Sequence, residues 1–230
     1  MFVTKALARF TAISSLMGLT PSPLVAEDYK PAFVVTYLEV SPESVDQSRS
    51  LLKTYAAAAQ NAAGAVQFET FQRIGQSNHF AIVETWEDTR TQQAFAASPA
   101  AKEFRGSIAP LRIGPFDERA HFTLDVGPKV AAPADAIVGI THVDIVPARK
   151  DEGVASVKSL AEHSRGSPGN IRYDAWVQTS RGNHMTIVES WTSMAALANY
   201  TTAAATRTFR ENLSPMSGAL FDQRLYQVLR

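Results

Sequence analysis

The sequence predicts an α+β protein made of two tandem β-α-β-β-α-β units whose sheets pack against each other. Three observations carry that expectation. A fixed shift of 105 residues lays the second half of the chain on the first without a gap, joining Thr36 to Thr141, Asn78-His79 to Asn183-His184 and Trp86 to Trp191. Each half shows the same alternation of β-branched runs and helically spaced apolar residues, as two copies of one structural unit would. The strand segments are also apolar on both faces, as in Phe33, Val34, Val35 and Leu38, so a sheet with helices on one side keeps an oily side to cover.

The elements follow in order. FVVTYLEV (33–40) and VGITHVDI (138–145) read as first strands. Val45, Leu52, Tyr55 and Ala59 then recur at helical spacing, as do Val154, Val157 and Ala161. Gly64 and Gly169 stand where a helix end favours positive φ. AVQFETFQRI and NHFAIVETW form a hairpin through GQS, and NIRYDAWVQT and NHMTIVESW form its copy through SRG. A second helix carries Ala94, Ala101, Phe104, Ile108 and Leu111, with Leu197, Tyr200, Phe209, Leu213 and Met216 as counterparts; Ser98-Pro99 should break and recap the first of them. FDERAHFTL and FDQRLYQVL close each unit as a fourth strand. This is the ferredoxin-like split βαβ order, twice. The repeats are expected at 31–125 and 136–230, with a Pro- and Ala-rich linker at 126–135.

Composition excludes several function classes. The 230 residues hold 22 basic and 22 acidic side chains with no basic stripe, which argues against nucleic acid as a partner. With no cysteine there are no disulfides, thiolate metal sites or cysteine nucleophile. Lys5 and Arg9 precede an uncharged apolar run ending in the small residue Ala26, so residues 1–26 read as a secretory signal peptide. The run is short and broken by Pro21 and Pro23, so no stable membrane span is expected after cleavage. The mature protein is expected to be exported, periplasmic or secreted.

SPGNIRYDAW and AAGAVQFETF resemble the Pro-Gly-x-x-x-aromatic-acid segment of the antibiotic biosynthesis monooxygenase family, and IVETWED and IVESWTS resemble its Glu-x-Trp strand end. The resemblance spans both copies. It implies the dimeric α+β barrel, here as an intramolecular pseudo-dimer. The family that the chain resembles includes cofactor-free enzymes that oxidise quinols or polyphenols with dioxygen, haem-degrading enzymes and members with no known reaction. The first of these implies no cofactor, with a small aromatic or lipophilic molecule and dioxygen as partners. Further association of such pseudo-dimers into a homo-oligomer is compatible with the pattern. The chain departs from its relatives where they often carry a His nine residues after the Trp: Phe95 and Tyr200 stand there. Thr36 and Thr141 replace the Asn that haem-degrading relatives place on the first strand.

The candidate residues sit at matched positions. Trp86 and Trp191 share a strand face with Glu84 and Glu189, two residues earlier. In the family this Trp lines a pocket between sheet and helices, where an indole would stack on a flat substrate; alternatively it closes the helix–sheet core. A mid-strand carboxylate is either a raised-pKa base or one member of a structural ion pair, with Arg105, Arg119, Arg210 and Arg224 as partners. His79 and His184 face away from the indoles, into the seam or its rim, and suit general-base chemistry near neutral pH or a structural hydrogen bond. No spacing around them resembles a metal site. Asn78 and Asn183, Phe95 and Tyr200, Phe104 and Phe209, and Thr36 and Thr141 complete a substrate-binding set. Against each stands a plainer role in turn or core. No phosphate loop, nucleophile elbow or nicotinamide fingerprint is present. Two functions follow: a cofactor-independent monooxygenase acting on a quinol-like compound, or a non-catalytic binding protein on the same fold.

Overall fold

A computed structural model describes residues 31–229. The expected signal peptide therefore lies outside the described residues. Eight strands and six helices appear in the expected order. The first copy holds β1 (Ala32–Glu39), α1 (Val45–Gln60), β2 (Ala65–Arg73), β3 (His79–Trp86), α2 (Thr89–Ala96), α3 (Pro99–Ile108) and β4 (Asp117–Asp125). The second holds β5 (Ile137–Asp144), α4 (Lys150–Arg165), β6 (Asn170–Gln178), β7 (His184–Trp191), α5 (Met194–Thr202), α6 (Ala204–Leu213) and β8 (Asp222–Val228).

Local chemistry sets these boundaries. Gly64 and Gly169 follow the long helices at φ of 78° and 82°, a conformation that costs glycine little. The Asp88 carboxylate accepts the Thr91 amide at 2.8 Å and caps α2. Ser98 caps α3 through the Ala101 amide, with Pro99 in its first turn. The second copy replaces that pair by Ala203 and Ala204, and α6 starts without a side-chain cap.

The sheets do more than stack. The strand order β1-β3-β2-β8-β5-β7-β6-β4 is a closed barrel. Closure comes from exchange: the last strand of each copy pairs antiparallel with the second strand of the other, β8 with β2 and β4 with β6. Among the described residues the closed barrel leaves no sheet edge open to template aggregation.

Alternation along each strand sorts the side chains into three layers. Phe33, Val35, Phe71, Val83, Val138, Ile140, Trp176 and Tyr226 point into the barrel and form one core, in which Phe33 stacks on Trp176 at 4.6 Å. The opposite strand faces meet the helices in two outer layers, one under α1–α3 and one under α4–α6.

Candidate functional site

The predicted residues fall into two places. Phe80, Ile82, Glu84 and Trp86 alternate outward from β3 into the layer beneath α1–α3. The Trp86 indole Nε1 donates to Glu84 Oε2 at 2.8 Å, and both side chains are buried. Above them lies a stack of aromatic rings. Phe95 from α2 is 5.0 Å from Trp86, and Tyr55 from α1 lies 5.4 Å from Phe95 and 4.2 Å from Phe104. Phe68 closes the group edge-on against Tyr55. Burial raises the Glu84 carboxyl to about 7, with the nearby Glu118 adding to the rise; the indole N–H and Arg105 oppose it.

The second copy repeats the pair with different neighbours. Trp191 Nε1 donates to Glu189 Oε2 at 3.0 Å, and Gln223 Nε2 donates to Glu189 Oε1 at 2.7 Å. Gln223 is the counterpart of Glu118, which instead pairs with Arg105 at 2.8 Å. One carboxylate thus faces a like charge, whereas the other accepts a second hydrogen bond. Burial raises Glu189 as well. Tyr200 lies 4.4 Å from Trp191, and its hydroxyl meets Ser164 Oγ at 2.7 Å and the Tyr173 hydroxyl at 3.3 Å. Phe209 is buried in the same layer.

Both indoles are fully covered, and neither lines the cavities beside Tyr37, Leu160, His79, Phe68 or Leu213. Phe95 and Tyr200 stand on the indoles where relatives often carry a His. None of the four arginines considered from sequence hydrogen-bonds either carboxylate: Arg119 pairs with Asp117 at 2.6 Å and Arg224 with Asp222 at 2.6 Å. Arg105 takes Glu118, and Arg210 lies over the Phe221 ring at 5.0 Å. The indole is the partner instead.

Thr36 and Thr141 are buried on the same outward faces as these pairs. Asn78 and Asn183 are positioned by their turns. Each side-chain amide donates to the carbonyl that follows the neighbouring first strand, Val40 at 3.0 Å and Ile145 at 2.6 Å. The amides of Val40 and Ile145 return the bond to the Asn carbonyls, each at 3.0 Å, so each Asn clasps a strand end.

His79 and His184 project inward at one end of the barrel. His79 Nε2 lies 3.5 Å from Glu39, and burial holds its imidazole below the ordinary value. His184 Nδ1 lies 3.1 Å from His142 Nε2, and His184 Nε2 lies 3.4 Å from Asp144. Burial lowers His142 to about 4, with Arg119 and His184 contributing. These histidines are therefore separated by the sheet from the Glu–Trp pairs. Among the described residues no group of three or more His, Asp or Glu could hold a metal ion, and no helix is long and apolar enough to cross a membrane.

Sequence reading missed Tyr37 and misjudged Arg119 and Arg224, which meet at that barrel end. Their signal was present as Asp117-x-Arg119 and Asp222-x-Arg224, a period-two spacing that puts acid and base on one strand face.

Comparison with known proteins fits this geometry. The chain is similar to YcnE of Bacillus subtilis (strain 168), a monooxygenase by name, with 30% identity over 61 residues, which is 26% of this chain and 64% of YcnE. It thus spans less than two thirds of that relative's length. A Fusobacterium nucleatum structure, named as a monooxygenase, superposes with a TM-score of 0.78 at 16% identity over 88% of this chain and 94% of its own. An anthrone oxidase-like protein superposes at 0.69 with 12% identity over 89% and 93%. Both share the fold. The sequence model of the antibiotic biosynthesis monooxygenases matches residues 31–107 and again 136–212. The chain belongs to the antibiotic biosynthesis monooxygenase family, carrying two copies of its domain in one barrel.

Proposed function

We propose that this protein is an exported, cofactor-independent monooxygenase that oxidises a small aromatic or quinol-like compound with dioxygen. The observation that carries the reading is the Glu84 carboxyl: buried, raised to about 7, and bonded to an indole beneath an aromatic stack. A base of that strength sits close to working pH, where proton abstraction is most effective. Family membership supports the reaction class.

In this reading Glu84 removes a proton from the substrate and the resulting anion reduces dioxygen. One oxygen atom forms the new C–O bond and the other leaves as water. With a quinol, a ring C–H becomes C–OH and the quinol becomes a quinone, so the substrate itself supplies all four electrons. Trp86 stacks on the substrate ring, and the dry layer strengthens each contact to the developing anion. Phe95 covers the indole, so a substrate reaches Trp86 once the Phe95 ring moves aside. Glu189 and Trp191, with Tyr200 above them, give the second half the same components. The test is oxygen uptake with a quinol panel. Parent protein should consume oxygen above buffer, and Glu84→Gln combined with Glu189→Gln should lower kcat by at least about a hundredfold; equal rates would refute the assignment.

A second reading is a binding protein for a small lipophilic ligand. The covering of both indoles by Phe95 and Tyr200, in place of the His of many relatives, favours it. Quenching of Trp fluorescence by the same compounds without oxygen uptake would select it. Export is tested by the N-terminal sequence of the mature protein, expected to begin at Glu27.

A further inference from the structure

Away from both Glu–Trp layers, a cavity of about 360 Å³ opens at the barrel end that holds Tyr37. Its lining includes three pairs of residues made equivalent by the 105-residue shift: Arg119 with Arg224, Asp117 with Asp222, and Tyr37 with His142. The two copies build it together, on β4 and β1 from the first and on β5 and β8 from the second.

Each guanidinium is fixed by its own aspartate. Arg119 donates through Nε and Nη2 to Asp117 at 2.9 and 2.6 Å, and Arg224 does the same to Asp222 at 3.2 and 2.6 Å. Both guanidinium carbons then lie 5.2 Å from the centre of the Tyr37 ring. This arrangement engages both carboxylates; Arg224 also hydrogen-bonds the Tyr226 hydroxyl, while the Nη1 edge of Arg119 is left without a side-chain acceptor among the described residues. Arg181, exposed at the mouth, likewise has no side-chain partner among them. His142 and His184 are turned toward each other, and Asp144 faces His184 from outside the lining.

The charged groups of the walls are three arginines set against two aspartates that are already paired, with Gln178, Ser180 and His142 as neutral groups beside them. A ligand that satisfies the arginines must be an acceptor. Planar guanidinium edges favour a planar carboxylate over a cation or a neutral polyol. Ile140 and the Tyr37 ring give the remaining wall an apolar character suited to a compact organic body. The volume falls within the range of small-molecule sites.

We propose that this cavity binds one small organic carboxylate per chain, held between Arg119 and Arg224. Both copies contribute to it, and a smaller cavity of about 230 Å³ shares Tyr37, Asp117 and Arg224 with it, so one carboxylate seated between the two arginines occupies the wall common to both cavities.

The test is calorimetric titration of the full chain with benzoate and, separately, with inorganic phosphate. Benzoate should bind with a stoichiometry of one. Arg119→Gln and Arg224→Gln should each weaken it about tenfold or more, the usual cost of a charge-assisted bond. Arg181→Gln, at an exposed position where the fold is not at stake, should weaken it by a smaller factor. Glu84→Gln should leave it intact, so this site and the proposed base fail separately. Absence of benzoate binding, two sites per chain, binding of phosphate alone, or unchanged affinity in all three arginine variants would each overturn the proposal.

Discussion

Glu84 and Trp86, two residues apart on the outer face of β3, share a 2.8 Å hydrogen bond inside a layer that buries both side chains. The indole is a single neutral donor, too little to offset the desolvation of a carboxylate. The group therefore titrates from 4.5 in its free state to about 7 in the fold. Folding then binds more protons than unfolding across that window, and stability falls as pH rises from about 4.5 to 7. Glu84→Gln keeps the shape and removes the charge. It should raise stability at pH 8 by up to about 3 kcal/mol relative to the parent and change it little at pH 4.5. Urea unfolding of both proteins at the two pH values checks this; an identical pH slope would show that the carboxylate ionises freely in the fold.

Much of this architecture was written in the chain. The 105-residue shift, Gly64, and the Ser98-Pro99 break all report backbone requirements that only certain residues meet, so they appear as letters. Barrel closure does not. The pairing of β8 with β2 and of β4 with β6 is made by backbone groups at strand edges, which leave no side-chain period. The site was legible to the same extent. Period two placed Glu84 beside Trp86, yet it could not show that Phe95 would stand on the indole. The contrast between Glu118 and Gln223 is visible as FDER against FDQR, but its meaning depends on which carboxylate each one faces.

The second copy accommodates its Glu by removing a side chain. Gly139 lies opposite Glu189 on β5, where the first copy has Val34 opposite Glu84. A Cβ on Gly139 would meet Glu189 Oε1 at 2.7 Å and Cγ at 2.8 Å. Gly139→Val, which copies the first repeat into the second, should push Glu189 away from Gln223 and cost about 1–3 kcal/mol by overpacking. Thermal unfolding reads the cost. A variant as stable as the parent would mean that the Glu189 side chain moves aside freely.

His121 gives a pH response of opposite sign. It is buried on the inner face of β4, with Nε2 2.9 Å from Thr186 Oγ1, and burial lowers it to about 3. The unfolded imidazole takes its proton near 6.5. Its contribution is therefore complete above pH 6.5 and is lost as pH falls toward 3. At pH 5 that loss is about 2 kcal/mol. His121→Asn should flatten this acid limb, seen as a smaller stability difference between pH 7 and pH 5 than in the parent; an unchanged difference would place the acid sensitivity elsewhere.

At the other end of the barrel the two copies are joined by charge. Arg172 on β6 donates to Glu69 on β2 at 2.7 Å and to Asp174 at 2.6 Å, and all three side chains are buried. Glu69 also accepts the Ala132 amide at 2.9 Å, and Asp174 accepts the Gly127 amide at 2.9 Å, so the segment between the copies is held by the same group. Arg172→Leu strands two carboxylates without a cation and should cost about 3–5 kcal/mol. The triple replacement Glu69→Leu, Arg172→Leu, Asp174→Leu removes the whole network and should recover a large part of that loss, because desolvating the ions nearly cancels their attraction. Denaturant midpoints of the single and triple variants decide the matter. If the triple variant is less stable than Arg172→Leu, the amide contacts at Ala132 and Gly127, rather than the ion pairs, are what hold the two copies together.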